Sequence, residues 1–400
     1  MLLRIAATIL VLCAALLAAT PAGARPARLG PALTRALAVP HAGRTAALAL
    51  DLESGRVLFR RNDRAALVPA SNEKLAVAYA ALVALGPTYR LETTVWGEGE
   101  LVDGVWRGDL ILKGCGDPTL SFGDLRWLGA QLRAGGVRSV TGAVVADESY
   151  FDKRRVAPGW KRQFYLDESP PLSALAVDRA RYGGVVSPEP ARAAGQAFRD
   201  ALRAAGVRVR GRATTGRAGD EAFALASVAS PPLSRIVRDM NRESDNFTAE
   251  LLLKQLGVLN GRQGTSVRGA AVVRSTLTAA GVPLEGVRLV DGSGLSPYDR
   301  LTAGALVAIL AAAWRDPEIR STFVGSLPVA GRSGTLSSRL REPRIRGRVA
   351  AKTGTTRSAS TLAGYVRGRY AFAVLHNGRP VSPYWARRAQ DRFVAVLAAQ

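Results

Sequence analysis

Apolar and polar positions alternate from Thr45 through Leu48, Leu50 and Leu52, pass Glu53-Ser54-Gly55, and resume over Arg56-Val57-Leu58-Phe59. A period of two around a Ser-Gly turn predicts a β-hairpin. Beyond Ser71, the positions Leu75, Val77, Tyr79, Leu82, Val83 and Leu85 are apolar on nearly every face and stop at Gly86-Pro87. That pattern predicts a buried helix that begins near a serine.

From about Leu91 to Ser230 the pattern shortens. Strand-like runs are expected over Thr93–Trp96, Asp109–Leu112 and Gly142–Val145, punctuated by Gly97, Gly99, Gly104, Gly108, Gly114 and Gly116. Helix-like segments run from Asp124 to Ala134 and from Pro190 to Ala205. The stretch predicts a separate α+β unit, and Ala229-Ser230-Pro231-Pro232 reads as the return linker. Helical patterning returns with Ile236, Val237 and Met240, then over Ala249–Leu256, Gly269–Ala280 and Thr302–Trp314. Strands are expected over Arg348–Ala351, Leu362–Val366 and Tyr370–Leu375, and a final helix from about Tyr384 to Ala398. No repeat at a solenoid period is present.

Composition narrows the function classes. The 400 residues carry 55 basic and 32 acidic side chains, a net charge of +23, and only six of the basic residues are lysine. Arginine-rich composition of this kind follows from a GC-rich genome; its functional alternative is attraction to a polyanion. No basic run, zinc knuckle or aromatic RNA-binding signature accompanies the charge, so no nucleic acid partner is expected, and an anionic cell envelope fits better. With two histidines and two cysteines, neither a histidine-rich metal site nor a disulfide framework is expected, nor any cofactor.

The N-terminus points the same way. One basic residue within Met1–Arg4, an apolar stretch over Ile5–Ala19, and Ala22-Gly23-Ala24 form a signal peptide over residues 1–24. An uncleaved anchor is the alternative, for which the apolar run is short. Cys13 follows Leu12, which disfavours lipidation. The expected product is exported to the periplasm, the cell envelope or the medium, with no stable membrane span after cleavage.

Three motifs then occur in order: Ser71-Asn72-Glu73-Lys74, Ser244-Asp245-Asn246 and Lys352-Thr353-Gly354. With lysine this rare, chance would supply S-x-x-K roughly 0.4 times and K-T-G roughly 0.03 times in such a chain. Positions i and i+3 share a helix face, so the Lys74 amine reaches the Ser71 hydroxyl. The helix start brings backbone N–H groups to a developing oxyanion. A lysine base must be neutral, which requires burial or a neighbouring cation, and Lys352 is the candidate cation. Ser244 is placed to relay a proton and Asn246 to offer its amide to a substrate carbonyl. The strand that carries Thr353, Gly354 and Thr355 offers its edge to an extended peptide, with the Thr355 N–H as second oxyanion donor. Each motif also has an ordinary reading: Ser71 as a helix cap, Ser244-Asp245-Asn246 as a helix start, Lys352 as a solvated strand lysine. Their joint, ordered occurrence favours chemistry.

The chain resembles D-alanyl-D-alanine carboxypeptidase/endopeptidases of the DacB, or penicillin-binding protein 4, type. Beyond the three motifs the resemblance rests on Leu112–Leu120 (LKGCGDPTL), Asp147–Phe151 (DESYF), Ala157–Trp160 (APGW), Asp291–Ser296 (DGSGLS), Leu362–Tyr365 (LAGY) and the long gap between Ser71 and Ser244. It implies an α/β (α+β) fold: a penicillin-binding-protein or serine β-lactamase-like core with a five-stranded antiparallel sheet flanked by helices. The catalytic domain would be discontinuous, 25–90 with 231–400, and an inserted domain over 91–230 would border the cleft. The implied reaction is hydrolysis of D-Ala-D-Ala termini, of D-Ala-diamino-acid cross-links, or of both, in peptidoglycan stem peptides, through an acyl-enzyme on Ser71. β-Lactams would acylate the same serine.

The resemblance also implies that Asp147 and Phe151 border the cleft; the plainer reading makes Asp147 a turn cap and Phe151 core. Pro297 stands where the family has a basic residue, and Arg300 is the candidate substitute. Cys115, at a variable position of the Gly-x-Gly-Asp-Pro motif, reads as a small buried residue. A serine β-lactamase is the alternative enzyme, though no Glu-x-x-x-Asn-type water-positioning segment lies between the first two motifs. A catalytically silent wall-binding protein would have lost Ser71, Lys74 or Lys352, and all three are present.

Overall fold

The computed structural model describes residues 26–40, 43–161, 163–259 and 263–400. The expected leader at 1–24 with Cys13, and His41, lie outside the described residues.

The expected N-terminal hairpin and the C-terminal strands meet in one sheet. Its five antiparallel strands run in the order Val349–Thr355, Ala359–Val366, Tyr370–Asn377, Arg44–Asp51, Val57–Arg61. Alternate residues face opposite sides. Ala46, Leu48, Ala363, Tyr365, Ala373 and Leu375 join a helical core formed largely by Glu73–Leu85, Leu233–Glu243, Asn246–Leu256 and Ala303–Arg315. Ala47, Ala49, Leu362, Phe372 and Val374 pack under the terminal helices Pro26–Ala36 and Pro383–Ala398. A sheet covered on both faces explains why Ala359–Val366 and Tyr370–Asn377 are almost continuously apolar.

Between Leu91 and Ser230 the chain builds a second, seven-stranded sheet. The segment leaves and returns at one place: the Ser230 N–H donates to the Leu91 carbonyl (2.8 Å) and the Leu91 N–H to Ser230 Oγ (3.0 Å). Its long hairpin, Glu92–Val102 with Val105–Lys113, carries Phe223–Ala229 on one side and Val144–Asp147, then Ala213–Thr215, on the other. Three of the glycines that read as strand breaks, Gly97, Gly99 and Gly108, lie inside the strands of this hairpin. Gly99 and Gly108 face each other at φ +146° and +147°, and a Cβ on either would fall within about 2 Å of the opposite carbonyl oxygen. They mark a close approach of two backbones, not an end.

The loop region that follows the strand Val144–Asp147 meets the helix Asn246–Leu256 through a small apolar seam. Phe151, Ala157, Leu172, Ala174 and Ala176 pack on Phe247 and Leu251 of the helix Asn246–Leu256.

Candidate active site

Helix Glu73–Leu85 is preceded by a single 3-10 turn, Ala70–Asn72. Ser71 sits in that turn and its side chain caps no helix. Its Oγ instead accepts from Lys74 Nζ at 3.0 Å. The same ammonium donates to Asn246 Oδ1 (2.8 Å) and to the Ser293 carbonyl (2.7 Å). One buried amine therefore joins the first two motifs.

The second motif spans a helix junction. Ser244 closes Leu233–Glu243 in a left-handed conformation (φ 58°), and Asp245 caps the next helix by accepting from the Phe247 N–H. The left-handed turn aims the Ser244 hydroxyl at the third motif, where it accepts from Lys352 Nζ at 2.8 Å. Lys352 has no exposed surface and also donates to the Thr353 carbonyl (3.0 Å). The ordinary readings of Ser71 and Lys352 do not describe these environments.

Strand Val349–Thr355 is the sheet edge. Its first half is covered, because the Ala351 N–H donates to the Pro328 carbonyl and the Val349 carbonyl accepts from Ala330. Backbone groups alternate between the two sides of a strand, so those of Thr353 and Thr355 face the uncovered edge. Gly354 lies between them against the nucleophile turn. A Cβ there would come 2.2 Å from Thr361 Oγ1 and 3.0 Å from both the Ser71 nitrogen and the Pro69 carbonyl. The missing side chain lets the edge strand approach the nucleophile turn this closely. Asn72 locks the arrangement: its amide nitrogen donates to the Lys352 carbonyl (3.2 Å) and Thr361 Oγ1 (2.8 Å), and its oxygen accepts from the Ala363 N–H (3.1 Å).

Burial sets the charge states. It brings Lys74 down to about 8, against the upward pull of Asp291, Glu250, Asp245 and Glu168. Burial, and then the Lys74 charge, push Lys352 well below its ordinary value. Burial is the first cause of the lowered Lys74, and the repulsion between Lys74 and Lys352, the candidate cation, shows on Lys352. Behind Lys74 lie four buried acids: Glu73, Glu250, Asp291 and Asp299. Burial and mutual repulsion raise Glu250 to about 8, Asp299 to about 12 and Glu73 well above the carboxylate range. Two of the four brace the loop beside Lys74. Glu250 Oε1 accepts from the Gly292 and Ser293 N–H groups (3.0 and 2.8 Å), and Asp291 accepts from Gly294, Ser296 and the Trp160 indole (2.6, 2.7 and 2.8 Å). This bracing holds the Ser293 carbonyl against Lys74.

The sequence reading missed these supports, and also Arg179. Its guanidinium pairs with both Asp245 oxygens at 2.6 and 2.9 Å. Burial raises the Asp245 carboxyl, but the Arg179 hydrogen bonds outweigh it and hold that carboxyl below its usual range.

The cleft over these motifs encloses about 870 Å³. The inserted segment contributes Lys161, Gln163, Phe164 and Glu168 to its lining, and the amide nitrogen of Asn246 donates to the Glu168 carbonyl at 3.1 Å. Asp147 and Phe151, expected at this border, lie elsewhere. Asp147 has no exposed surface, and its carboxylate accepts from the Ser149 and Ala218 N–H groups (2.8 and 3.1 Å). Phe151 is equally buried in the seam under Phe247. The first caps a strand end and the second is core, so neither meets substrate. Arg300 donates back to the Pro297 and Asp299 carbonyls (2.7 and 2.6 Å) and does not line the cleft. Arg339, Arg357 and Arg387 do, and Arg387 Nη2 lies 3.4 Å from Thr355 Oγ1.

Cys115 is a half-buried free thiol that burial pushes up to about 12. His376 is buried in the sheet on Thr45 Oγ1 (2.9 Å) and lowered to about 4 by burial. Neither touches the motifs.

Asp147→Asn should therefore act on stability. Both backbone N–H groups lose a charged partner and one of them loses its acceptor, so we expect a loss of about 1–3 kcal/mol in denaturant unfolding. Penicillin acylation and peptide hydrolysis by the folded variant should both stay near wild type. A selective loss on peptides carrying a free diamino-acid amine would restore Asp147 to the substrate.

Comparison with known proteins gives a consistent set of matches. The family model described as D-Ala-D-Ala carboxypeptidase 3 (S13) matches residues 30–188 and 182–400. A D-alanyl-D-alanine carboxypeptidase of Actinomadura sp. is 32% identical over 82% of this chain and 77% of its own length. A carboxypeptidase DacB of Mycolicibacterium smegmatis is 32% identical over 92% of this chain and 83% of its own. Among solved structures, penicillin binding protein 4 (dacB) of Haemophilus influenzae superposes with a TM-score of 0.79 at 22% identity, covering 90% of this chain and 97% of that one. The same protein complexed with a β-lactam superposes at 0.75.

Proposed function

Because the chain belongs to the D-Ala-D-Ala carboxypeptidase 3 (S13) family and is a serine-type carboxypeptidase, we propose that it hydrolyses peptidoglycan stem peptides through an acyl-enzyme on Ser71. The observation that carries this reading is the Lys74 amine, buried, lowered to about 8, and 3.0 Å from Ser71 Oγ.

Lys74 in its neutral form takes the Ser71 proton as Oγ attacks the carbonyl of the penultimate D-alanine. The Ser71 and Thr355 N–H groups stabilise the oxyanion. The carbon–nitrogen bond then breaks, and Ser244, beside Lys352, relays the proton held by Lys74 to the leaving amine, which leaves Lys74 neutral again. Water hydrolyses the ester and returns the proton to Ser71. The open edge at Thr353–Thr355 pairs with the extended substrate, and Asn246 donates to the acyl-side carbonyl. Either terminal D-alanine or a cross-linked diamino acid can leave by this route, so endopeptidase activity belongs to the same site. Residues 25–90 and 231–400 form the catalytic domain and 91–230 the inserted one, which walls the cleft with Lys161–Glu168. The leader at 1–24 exports the protein to the envelope or medium, and among the described residues no helix is long and apolar enough to cross a membrane.

The test is a soluble acyl-D-Ala-D-Ala peptide together with nitrocefin. Stoichiometric release of D-alanine, with penicillin held as a stable adduct, is expected. Rapid nitrocefin turnover without D-alanine release would make the enzyme a β-lactamase.

A further inference from the structure

The last helix, Pro383–Ala398, is fastened by its buried face, where Ala386, Ala389, Gln390 and Phe393 have no exposed surface. Its first turn does the opposite. Tyr384 is 57% and Trp385 44% exposed. Two large aromatics side by side in water are costly unless something covers them.

They are also held rigid. Their ring centroids lie 4.9 Å apart at 76°, and Arg388 donates to the Tyr384 hydroxyl at 2.6 Å while its guanidinium lies 5.4 Å from the same ring. Such a pair loses little conformational entropy on binding. The ridge is continuous with the reaction cleft, for Tyr384 and Arg388 stand at its rim and Arg387 of the same turn reaches Thr355. Trp385 lies on the far side, over a separate depression bordered by Leu37 and Arg392.

We propose that the Tyr384–Trp385 ridge binds the glycan strand of peptidoglycan from which the stem peptide hangs. This rests on the reading of the cleft as a stem-peptide site. A cleft of about 870 Å³ holds a peptide but not the polymer, so the strand must leave over the rim. A pyranose offers an apolar C–H face with hydroxyl and acetamido groups around it. Flat rings flanked by arginine donors complement that pattern. A bilayer would ask for a broader apolar area than two side chains, and a peptide strand for an open backbone edge, which this helix lacks.

The test is Trp385→Ala in the full chain, with Trp385→Phe beside it. Co-sedimentation with glycan strands stripped of peptide by an amidase measures binding, and D-alanine release measures turnover on intact sacculi and on a soluble tripeptide. Loss of one stacked ring should weaken glycan binding and sacculus turnover by about three- to tenfold, with the soluble rate unchanged. Trp385→Phe should retain most of the binding. Equal losses on both substrates, unchanged glycan binding in Trp385→Ala, or no wild-type binding to stripped glycan would each overturn the proposal. Glycan binding by a protein that fails to cleave the tripeptide would leave the ridge in place and remove the peptidase reading instead.

Discussion

Lys74→Arg should lower the rate of penicillin acylation by about 10²–10⁴-fold, the range lost with a general base. Arginine keeps the positive charge and the length to reach Asn246 Oδ1, but it cannot give up a proton in a protein. The wild-type rate carries the signature of the group that Arg removes. Lys74 is lowered to about 8, so its neutral fraction, and with it acylation, rises with pH until about 8 and then levels. At pH 6 the rate should be about a hundredth of the plateau. In Lys74→Arg that limb should vanish. The same depressed value acts on stability in a defined window. Between about 8 and the ordinary 10.5 the unfolded chain binds the proton that the folded chain does not, so this group makes stability rise with pH there and contributes a constant cost below. Stopped-flow acylation across pH 5–10 for both proteins decides the matter; a surviving limb at the same pH would move the base elsewhere.

Gly354→Ala should be nearly as damaging, although it adds only one methyl group and removes no group that moves a proton. That methyl would meet Thr361 Oγ1, the Pro69 carbonyl and the Ser71 nitrogen at once. Two of the three are backbone atoms of the nucleophile turn, so the turn and the edge strand must separate. The Ser71 and Thr355 N–H groups, the proposed oxyanion donors, would then move apart, and losing one such donor costs about 10²–10³-fold. The expected result is a large fall in the acylation rate constant with a smaller change in the noncovalent affinity for penicillin, and a Tm within a few degrees of wild type. A variant that acylates normally would mean that Gly354 is needed only for packing.

These two residues show what a linear sequence reveals of such a site. Ser71, Lys74, Ser244, Asn246, Lys352 and Gly354 are legible because each motif is short, and its parts are held together by one turn or one strand. Their supports come from across the chain. Glu250 grips Gly292 and Ser293, Arg179 grips Asp245, and Trp160 donates to Asp291. No local pattern marks such pairings, since each residue alone reads as a surface charge or an interior aromatic. The strands of the five-stranded sheet could be anticipated, two of them from alternation, while their union in one sheet is implied by the family resemblance. The long hairpin of the inserted sheet could not, because paired glycines imitate the punctuation of turns. Asp147 and Phe151 failed for a different reason: a motif position was carried over without its environment, and here burial removes both from the cleft.

The central claim is that one hydroxyl, Ser71, carries the acyl group. Intact-mass analysis after incubation with benzylpenicillin tests it most directly, followed by peptide mapping. Wild type should gain one penicilloyl mass, located on the peptide that contains Ser71, and a folded Ser71→Ala protein should gain none. An adduct of the same mass on Ser71→Ala, or one mapped to Ser244 in the wild type, would contradict the claim.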